Sequence, residues 1–295
     1  MTDLRFTAGE QDLRMQADLR RHIGQARAID PKMAEASIAE AALLPVRDFH
    51  ARGQAISAAA AQKPDDPIIL DILASNLAAS GYLRDAVETA SRAVTLDPLS
   101  PKIRSTYITL LTYAGSFDAA KRELRKAEKL WPGTASVADA QFRFHYRYGD
   151  PKIARPLFED RANVGGRGPR LIMATREDPS PIRVQELLNF VRERLRNMEN
   201  PSAGIGFAIL AFGQFGQPED VISTLLSWPK TEDVAVISEV LFRPEFTATR
   251  RDKRFMMIAK RAGLLELWQK SNEWPDFCSE PGQTYDCRAE AAKLG

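Results

Sequence analysis

The sequence has few of the residues on which catalytic and metal sites depend. Its 295 residues include only three histidines and two cysteines. The histidines, His22, His50 and His145, are far apart, and no His-Glu-x-x-His motif, nucleophile elbow or phosphate-binding loop occurs. Gly204-Ile205-Gly206 follows no strand pattern and so does not indicate a dinucleotide site. We expect no catalytic residue, no cofactor and no metal, and hence no enzyme activity.

A large charge imbalance and a long apolar run are also missing. The formal net charge is +2, and the longest basic cluster, residues 250–254, is short and interrupted by Asp252. Binding of nucleic acid by this chain is therefore not expected. No run approaches the roughly 18 apolar residues of a membrane span, and the first six residues lack the basic-then-apolar order of a signal peptide. We expect no membrane span in this chain.

The two cysteines, Cys278 and Cys287, lie close together near the C-terminus, in a segment rich in turn-forming residues. A disulfide between them would close a small loop and stabilise the fold by about 2 to 3 kcal/mol. In a reducing cytosol the pair would instead remain two thiols. Two sulfurs without nearby histidines make a poor zinc site. We favour the disulfide and keep two free thiols as the alternative.

Prolines recur along the first half of the chain with a nearly constant spacing of 33, 34 and 34 residues. An alanine stands five residues before each of them. The prolines are Pro31, Pro64, Pro98 and Pro132, and the alanines are Ala26, Ala59, Ala93 and Ala127. A period of about 34 residues is typical of stacked helix-turn-helix repeats, in which each repeat buries its apolar face against its neighbours. The period predicts an all-α fold, a right-handed α-solenoid.

Two further series share this period. Glycines should end the first helix of each pair in a left-handed conformation, and alanines should lie where the two helices cross closely. Each proline should follow the second helix and end it. The glycines are Gly81, Gly115 and Gly149, and the alanines are Ala86, Ala120 and Ala154.

The repeats resemble the tetratricopeptide repeat family. They share its mid-repeat glycine, the small residues of its second helix and its terminal Asp-Pro, and the match is clearest in residues 80–98. Residues 67–100 and 101–134 meet the pattern closely, whereas 34–66 and 135–168 are irregular. This resemblance implies a TPR-like solenoid that binds a protein or peptide. The early Pro156 and the glycine-rich residues 164–169 predict a short second helix followed by a loop.

Looser helices should continue the solenoid to about residue 240. Residues 181–197 predict an amphipathic helix, and 202–227 are repeat-like with Gly216 at the turn. The predicted inward faces are those of Val184, Leu187, Leu188, Val191, Leu195, Val221, Leu225 and Leu226. We divide the chain into repeats (1–168), a degenerate continuation (169–240) and a C-terminal cap (241–295). The alternative is a separate helical cap after the repeats.

The repeat register also bears on the start of the chain. Counting back from Pro31, the first helix would run from Met1 to about Gly9, with residues 10–29 as its partner. A first repeat normally needs a polar capping helix, and none is present. We infer that the chain is a piece of a longer polypeptide; the alternative is a native start with an irregular first repeat.

The C-terminal region combines an apolar helical stripe with an aromatic segment, which should cap the last open face of the solenoid. The stripe is Phe255, Ile258, Ala259, Ala262, Leu265 and Trp268, followed by Trp274, Pro275 and Phe277. The order Arg251-Asp252, Arg254-Phe255, Gly263-Leu264, Trp268 and Trp274-Pro275-Asp276-Phe277-Cys278 resembles a closing motif of certain bacterial tetratricopeptide proteins. These are the C-terminal parts of winged-helix one-component regulators and of TPR-linked adenylate cyclases.

That resemblance implies the sensory or interaction part of a bacterial signalling or transcription-regulatory protein. The chain has no winged helix or cyclase domain of its own, and Lys253 replaces a frequent proline. The location would be cytoplasmic if the chain is complete and periplasmic if it follows a membrane span in a longer regulator. A free-standing scaffold and a small-molecule sensor, with its pocket near Gly165 and Gly204, are the alternatives.

Ligands of such solenoids bind on the concave face, which the first helices of the repeats form. The candidate binding residues there are Lys102, Thr109, Tyr113, Arg143, Tyr146 and Arg147. Asp71 and Ser75 do not reproduce the lysine and asparagine clamp by which some family members hold a terminal carboxylate. Tyr113, Arg143, Tyr146 and Arg147 could instead hold an acidic or aromatic segment by charge-assisted hydrogen bonds and stacking.

Overall fold

A computed structural model of the chain describes residues 8–160, 167–197 and 204–295. Over these three ranges the regular secondary structure is helical and no strand occurs. Two short 3-10 helices, Pro244–Phe246 and Asp276–Ser279, lie among the α-helices. The α-helices are α1 (Ala8–Ile29), α2 (Ala34–Leu43), α3 (Phe49–Gln62), α4 (Pro67–Ala79), α5 (Leu83–Leu96), α6 (Pro101–Tyr113), α7 (Phe117–Leu130), α8 (Ala135–Arg147), α9 (Pro151–Asp160), α10 (Arg167–Glu177), α11 (Pro181–Arg196), α12 (Ile205–Gln214), α13 (Pro218–Ser227), α14 (Thr231–Val236), α15 (Ser238–Leu241), α16 (Thr247–Arg251), α17 (Phe255–Ala262), α18 (Leu264–Ser271) and α19 (Cys287–Ala292).

Successive helices pack in pairs, and the first helices of neighbouring pairs also pack side by side. The pairs are α2 with α3, α4 with α5, α6 with α7 and α8 with α9. Helix α6 lies between α4 and α8 and contacts both, so these three helices form one continuous inner face. This packing is that of an α-solenoid. The predicted all-α solenoid is confirmed.

Each repeat begins and ends at the residues that the period singles out. Every periodic proline stands two residues beyond the last residue of α1, α3, α5 or α7. At the start of α4, the Asp66 carboxylate accepts hydrogen bonds from the backbone N–H groups of Ile68 and Ile69, and Pro67 occupies the first helical position. The periodic alanines are fully buried at the helix crossings, apart from Ala26, which is half-buried.

Glycines of the 34-residue series do not all act in the same way. Gly81 and Gly115 have φ of 90° and 73° and end α4 and α6 as predicted. Gly149 does not adopt a positive φ, so the prediction of a left-handed cap is wrong there. A Cβ at Gly149 would lie 2.5 Å from Nδ1 of His145 and 2.9 Å from the Phe144 ring. The glycine is required by this close approach rather than by its backbone conformation.

Two boundary predictions are also wrong. Helix α1 begins at Ala8 and continues without a turn through Gly9 and residues 10–29, whereas residues 1–7 lie outside the described ranges. Pro156 lies inside α9, which has 10 residues, whereas α3, α5 and α7 have 14 each. Of the predicted loop 164–169, residues 167–169 form the first turn of α10, where Pro169 is tolerated because first-turn N–H groups have no intrahelical partner. Residues 164–166 are outside the described part of the chain.

Helices α10 to α13 extend the packing more loosely. Helix α11 buries Leu187, Leu188 and Val191, and the turn between α12 and α13 contains Gly216 with a φ of 69°. Each of these helices packs on the next, and α10 also contacts α12. The solenoid therefore continues into this region, whereas the boundaries at residues 168 and 240 stay a prediction.

The C-terminal stripe lies on two helices instead of one, because Gly263, with a φ of 93°, separates α17 from α18. All six of its residues are buried. Helix α17 packs on α13 and α14, as a cap over the last repeat should. Helix α18 continues away from that end and packs on α3. The C-terminal segment thus joins the last repeat to the first ones, which the sequence did not indicate.

Candidate functional site

The C-terminal segment is fixed to the turn after α4 by hydrogen bonds to backbone groups. The Trp268 indole Nε1 donates to the carbonyl oxygen of Ser80 at 3.0 Å, and the Asp276 backbone N–H donates to that of Gly81 at 3.1 Å. The Tyr82 hydroxyl donates to the Glu273 carbonyl at 3.0 Å. These bonds cross between distant parts of the sequence.

The same segment contains the disulfide between Cys278 and Cys287. This bond connects the 3-10 helix Asp276–Ser279 to the start of α19. Beside it, the Arg84 backbone N–H and Nε each donate to the Asp276 carboxylate at 2.9 Å. The structure thus has the favoured disulfide rather than two free thiols.

Tyr113, one of the predicted binding residues, is already in contact with the chain's own Arg243. The Arg243 guanidinium carbon lies 3.9 Å from the centre of the Tyr113 ring, and Nη2 donates to the Tyr113 hydroxyl at 2.7 Å. Tyr113 is 4% exposed and Arg243 is 3% exposed. Tyr113 is therefore packed within the chain, and its hydroxyl already accepts a hydrogen bond from Arg243. No repeat pattern in the sequence includes Arg243.

One open pocket, of about 260 Å³, lies on the inner face between α4, α6, α8 and α15. We call it the polar pocket, since hydroxyl and charged groups dominate its lining. Lys102 is exposed at its rim, 3.8 Å from the buried Asp71, and burial raises the pKa of that carboxyl. The lining includes Ser75, Lys102, Ser105, Thr106, Thr109, Tyr113, Ser136, Asp139, Arg143 and Glu239.

A second open pocket, of about 270 Å³, adjoins the first between α8, α9, α10 and α12. We call it the aromatic pocket. Tyr146 stacks on Phe142 at a centroid distance of 4.9 Å and on Phe158 at 6.3 Å. Burial raises the pKa of Tyr146 to about 12, so its hydroxyl stays protonated at neutral pH. The lining is Asp139, Phe142, Arg143, Tyr146, Arg147, Phe158, Pro169, Ile172, Phe207 and Leu210.

Arg143 and Asp139 line both pockets, so the two pockets adjoin at this pair of residues. Arg143 Nε donates a hydrogen bond to the Asp139 carboxylate at 2.5 Å, and the two residues are four positions apart on α8. Burial by itself would lower the pKa of Arg143, but this hydrogen bond raises it. We call the two pockets together the inner groove. The six candidate binding residues all line it, and the structure brings them together on α6 and α8.

Several groove residues escaped sequence reasoning. Phe158, Ile172, Phe207 and Leu210 come from α9, α10 and α12, where the repeat pattern is degenerate. The sequence indicated these residues only through the strongly apolar segment after Gly204, which forms α12. A small-molecule pocket was predicted near Gly204, and the aromatic pocket, an open one, is lined by Phe207 and Leu210 of the helix that follows Gly204. Gly165 lies outside the described residues.

Neither a membrane-crossing helix nor a group of three potential metal ligands is found in residues 8–160, 167–197 and 204–295. No family model matches the sequence, and no curated protein matches it. Among solved structures, one chain in the structure of Naa15/Naa10 bound to HypK-THB is similar, with a TM-score of 0.32 and 14% identity. The alignment covers 90% of this chain and 38% of that one, so this chain spans less than half of its length. The fold assignment rests on the helix pairs themselves.

Proposed function

We propose that this chain is a non-catalytic, TPR-like interaction module that binds a peptide segment of a partner protein in the inner groove. The observation that carries the proposal is the meeting of two open pockets at Arg143, on the face where neighbouring first helices pack side by side. Two adjoining pockets can hold two parts of one extended ligand. A single closed cavity would favour a small molecule instead.

The two pockets suit different parts of a peptide. Lys102 in the polar pocket can donate hydrogen bonds to main-chain carbonyls. The hydroxyl oxygens of Ser75, Ser105 and Thr109, which donate their own protons to helix carbonyls, can accept from main-chain N–H groups. The aromatic pocket can bury an apolar or aromatic side chain against Phe142, Tyr146 and Phe158. Helix α15 packs on α4, and α18 packs on α3. The segment that follows α18 contacts the turn after α4.

Selection of peptides tests the groove directly. A library of random displayed peptides, selected against the purified chain, should yield binders that the Ser136→Trp variant no longer retains, because the indole would fill the polar pocket. Thr95→Trp is the matched control, since Thr95 is exposed on α5 and lines neither pocket. Selected peptides that bind both variants equally would exclude the inner groove as their site, and a selection without binders would contradict the proposal.

For the biological context, we propose that the module is the sensory or interaction part of a bacterial signalling or transcription-regulatory protein. The support is the C-terminal motif ending in Trp274-Pro275-Asp276-Phe277-Cys278. An in-frame winged helix or membrane span encoded upstream of Met1 would agree with this context. A stop codon directly upstream would contradict it and favour the free-standing scaffold.

A further inference from the structure

Arg147 has an unusual position for a charged side chain. It lies at the end of α8 and lines the aromatic pocket, with its guanidinium carbon 5.8 Å from the centre of the Tyr146 ring. Within the described ranges its guanidinium donates no hydrogen bond, and no carboxylate lies at ion-pair distance from it. A partly buried guanidinium normally gains such partners in exchange for its lost hydration. Here the pocket supplies an aromatic face, and Asp139, a carboxylate of its lining, is paired with Arg143.

Two further arginines lie near Arg147, and each has partners of its own. Arg243 is buried nearby; its Nη2 pairs with Glu239 at 3.2 Å, whereas its Nε and Nη1 have no hydrogen-bond partner. Arg176 donates to neutral carbonyl oxygens, those of His145 at 2.5 Å and Gly149 at 2.9 Å. Burial, and after it the charge of Arg243, lowers the pKa of Arg147.

The nearby acids have partners other than Arg147. Glu245 accepts a hydrogen bond from the Tyr148 hydroxyl, and its negative charge opposes the effect of Arg243 on the pKa of Arg147. Asp139, which also lines the aromatic pocket, accepts a hydrogen bond from Arg143. Arg143 and Arg243 therefore have acidic partners and Arg176 has carbonyl partners, whereas the Arg147 guanidinium has neither within the described ranges. An anion entering the aromatic pocket would meet in Arg147 a cation with unused donors in a partly dehydrated site.

We propose that the aromatic pocket is a binding site for a carboxylate carried on an apolar or aromatic group, with Arg147 as the residue that binds the anion. The inference rests on the proposed function in taking the inner groove as the binding face. A guanidinium can donate two parallel hydrogen bonds to a carboxylate. The apolar part of the ligand would lie among Phe142, Tyr146 and Phe158. Arg143 is the second cation of the pocket, already paired with Asp139.

Three ligands share this chemistry: an acidic side chain beside an aromatic one, an aromatic residue at a chain terminus, and a free aromatic acid. Calorimetric titration of the wild-type chain with acetyl-Asp-Phe-amide, acetyl-Ala-Phe and 3-phenylpropionate distinguishes these sources. For each acid the neutral counterpart, with an amide in place of the carboxylate, is titrated in parallel. At least one acid should bind roughly ten- to a hundred-fold more tightly than its amide, because a hydrogen bond to a charged group is lost in the amide. Equal affinities for acid and amide, or no binding by any acid, would overturn the inference.

The Arg147→Met variant separates a binding arginine from a structural one. The variant should bind acid and amide alike, and its unfolding midpoint should equal or exceed that of the wild type, since no hydrogen bond of the guanidinium is lost. Arg183→Met is the matched control: Arg183 pairs with Asp178 on the surface, outside the aromatic pocket, and should keep the preference for acids. A variant Arg147→Met that retains the full preference for acids would contradict the assignment.

The outcomes also separate this inference from the proposed function. Peptides that bind the inner groove without needing an acidic group would leave the proposed function intact and refute the carboxylate site. Binding of 3-phenylpropionate without any peptide binder would support the carboxylate site and refute the peptide-binding function, in favour of a small-molecule sensor.

Discussion

Replacing Trp268 with phenylalanine should loosen the contact between the C-terminal segment and the early repeats. Trp268 is fully buried on α18, and its Nε1 donates to the Ser80 carbonyl oxygen at 3.0 Å. Its ring packs edge-on against Phe242 and Phe277, with centroid distances of 6.4 Å and 6.0 Å. The indole thus combines a buried hydrogen bond with edge-on contacts to two rings of an aromatic cluster.

The size of the effect follows from these two contributions. Phenylalanine has no N–H, so the buried Ser80 carbonyl loses this donor, which costs about 1 to 3 kcal/mol. The smaller ring also leaves a gap among Phe242 and Phe277, and the loss of packing adds about 1 kcal/mol, a fraction of the 3 to 5 kcal/mol of a tryptophan truncation to alanine. We expect the free energy of unfolding to fall by about 2 to 4 kcal/mol in total.

Denaturant unfolding followed by far-ultraviolet circular dichroism measures this loss. Amide hydrogen exchange gives a local reading, because the Asp276 N–H donates to the Gly81 carbonyl and is protected only while the segment is docked. The Asp276 amide should exchange faster in Trp268→Phe than in the wild type.

Trp131→Phe provides the control, since Trp131 is only half-buried beyond α7 and contacts the Arg104 guanidinium at 5.8 Å. This variant should lose less than about 1 kcal/mol. If Trp268→Phe unfolds at the same denaturant concentration as the wild type and its Asp276 amide remains protected, the reasoning about the docked segment is refuted.

Two further predictions concern the disulfide and a buried histidine. The Cys278–Cys287 bond closes a loop with a sequence separation of 9, and its reduction should lower the free energy of unfolding by about 2 to 3 kcal/mol. Denaturant titrations with and without a dithiol measure this loss, and identical unfolding curves would contradict it. At His145, Nδ1 accepts a hydrogen bond from the Asp150 N–H at 3.1 Å, and burial lowers the pKa of the ring below its usual value. The unfolded chain therefore binds the histidine proton at higher pH than the folded chain does. The free energy of unfolding should decrease as the pH falls below about 6.5. Thermal unfolding at several pH values should show this decrease in the wild type and less of it in His145→Gln, and the opposite trend would disprove it.

Much of the repeat architecture was predictable because it depends on local rules. Asp66 and Pro67 begin a helix, Gly81 ends it, and Pro98 follows the next one, each through its own backbone preferences. Gly149 shows the limit of such rules. Its spacing equals that of Gly81, but the cause of the glycine is the neighbouring His145 ring rather than the backbone angle.

The candidate site was predictable only in part. The positions of Arg143, Tyr146 and Arg147 on the inner face follow from the repeat register, and all three line the groove. That Tyr113 is covered by Arg243 could not be read from the register, because the two residues are 130 positions apart. Arginine and tyrosine at such a distance show no common pattern in a single sequence.

The sequence by itself therefore determined the helix pairs and their stacking, since a repeat of about 34 residues brings only neighbouring segments into contact. The tertiary structure alone decided how the two ends of the solenoid meet. Trp268 reaches the turn after α4, and Arg243 covers the Tyr113 ring beside the inner groove. These contacts depend on the accumulated curvature of many repeats, which no local pattern of residues specifies.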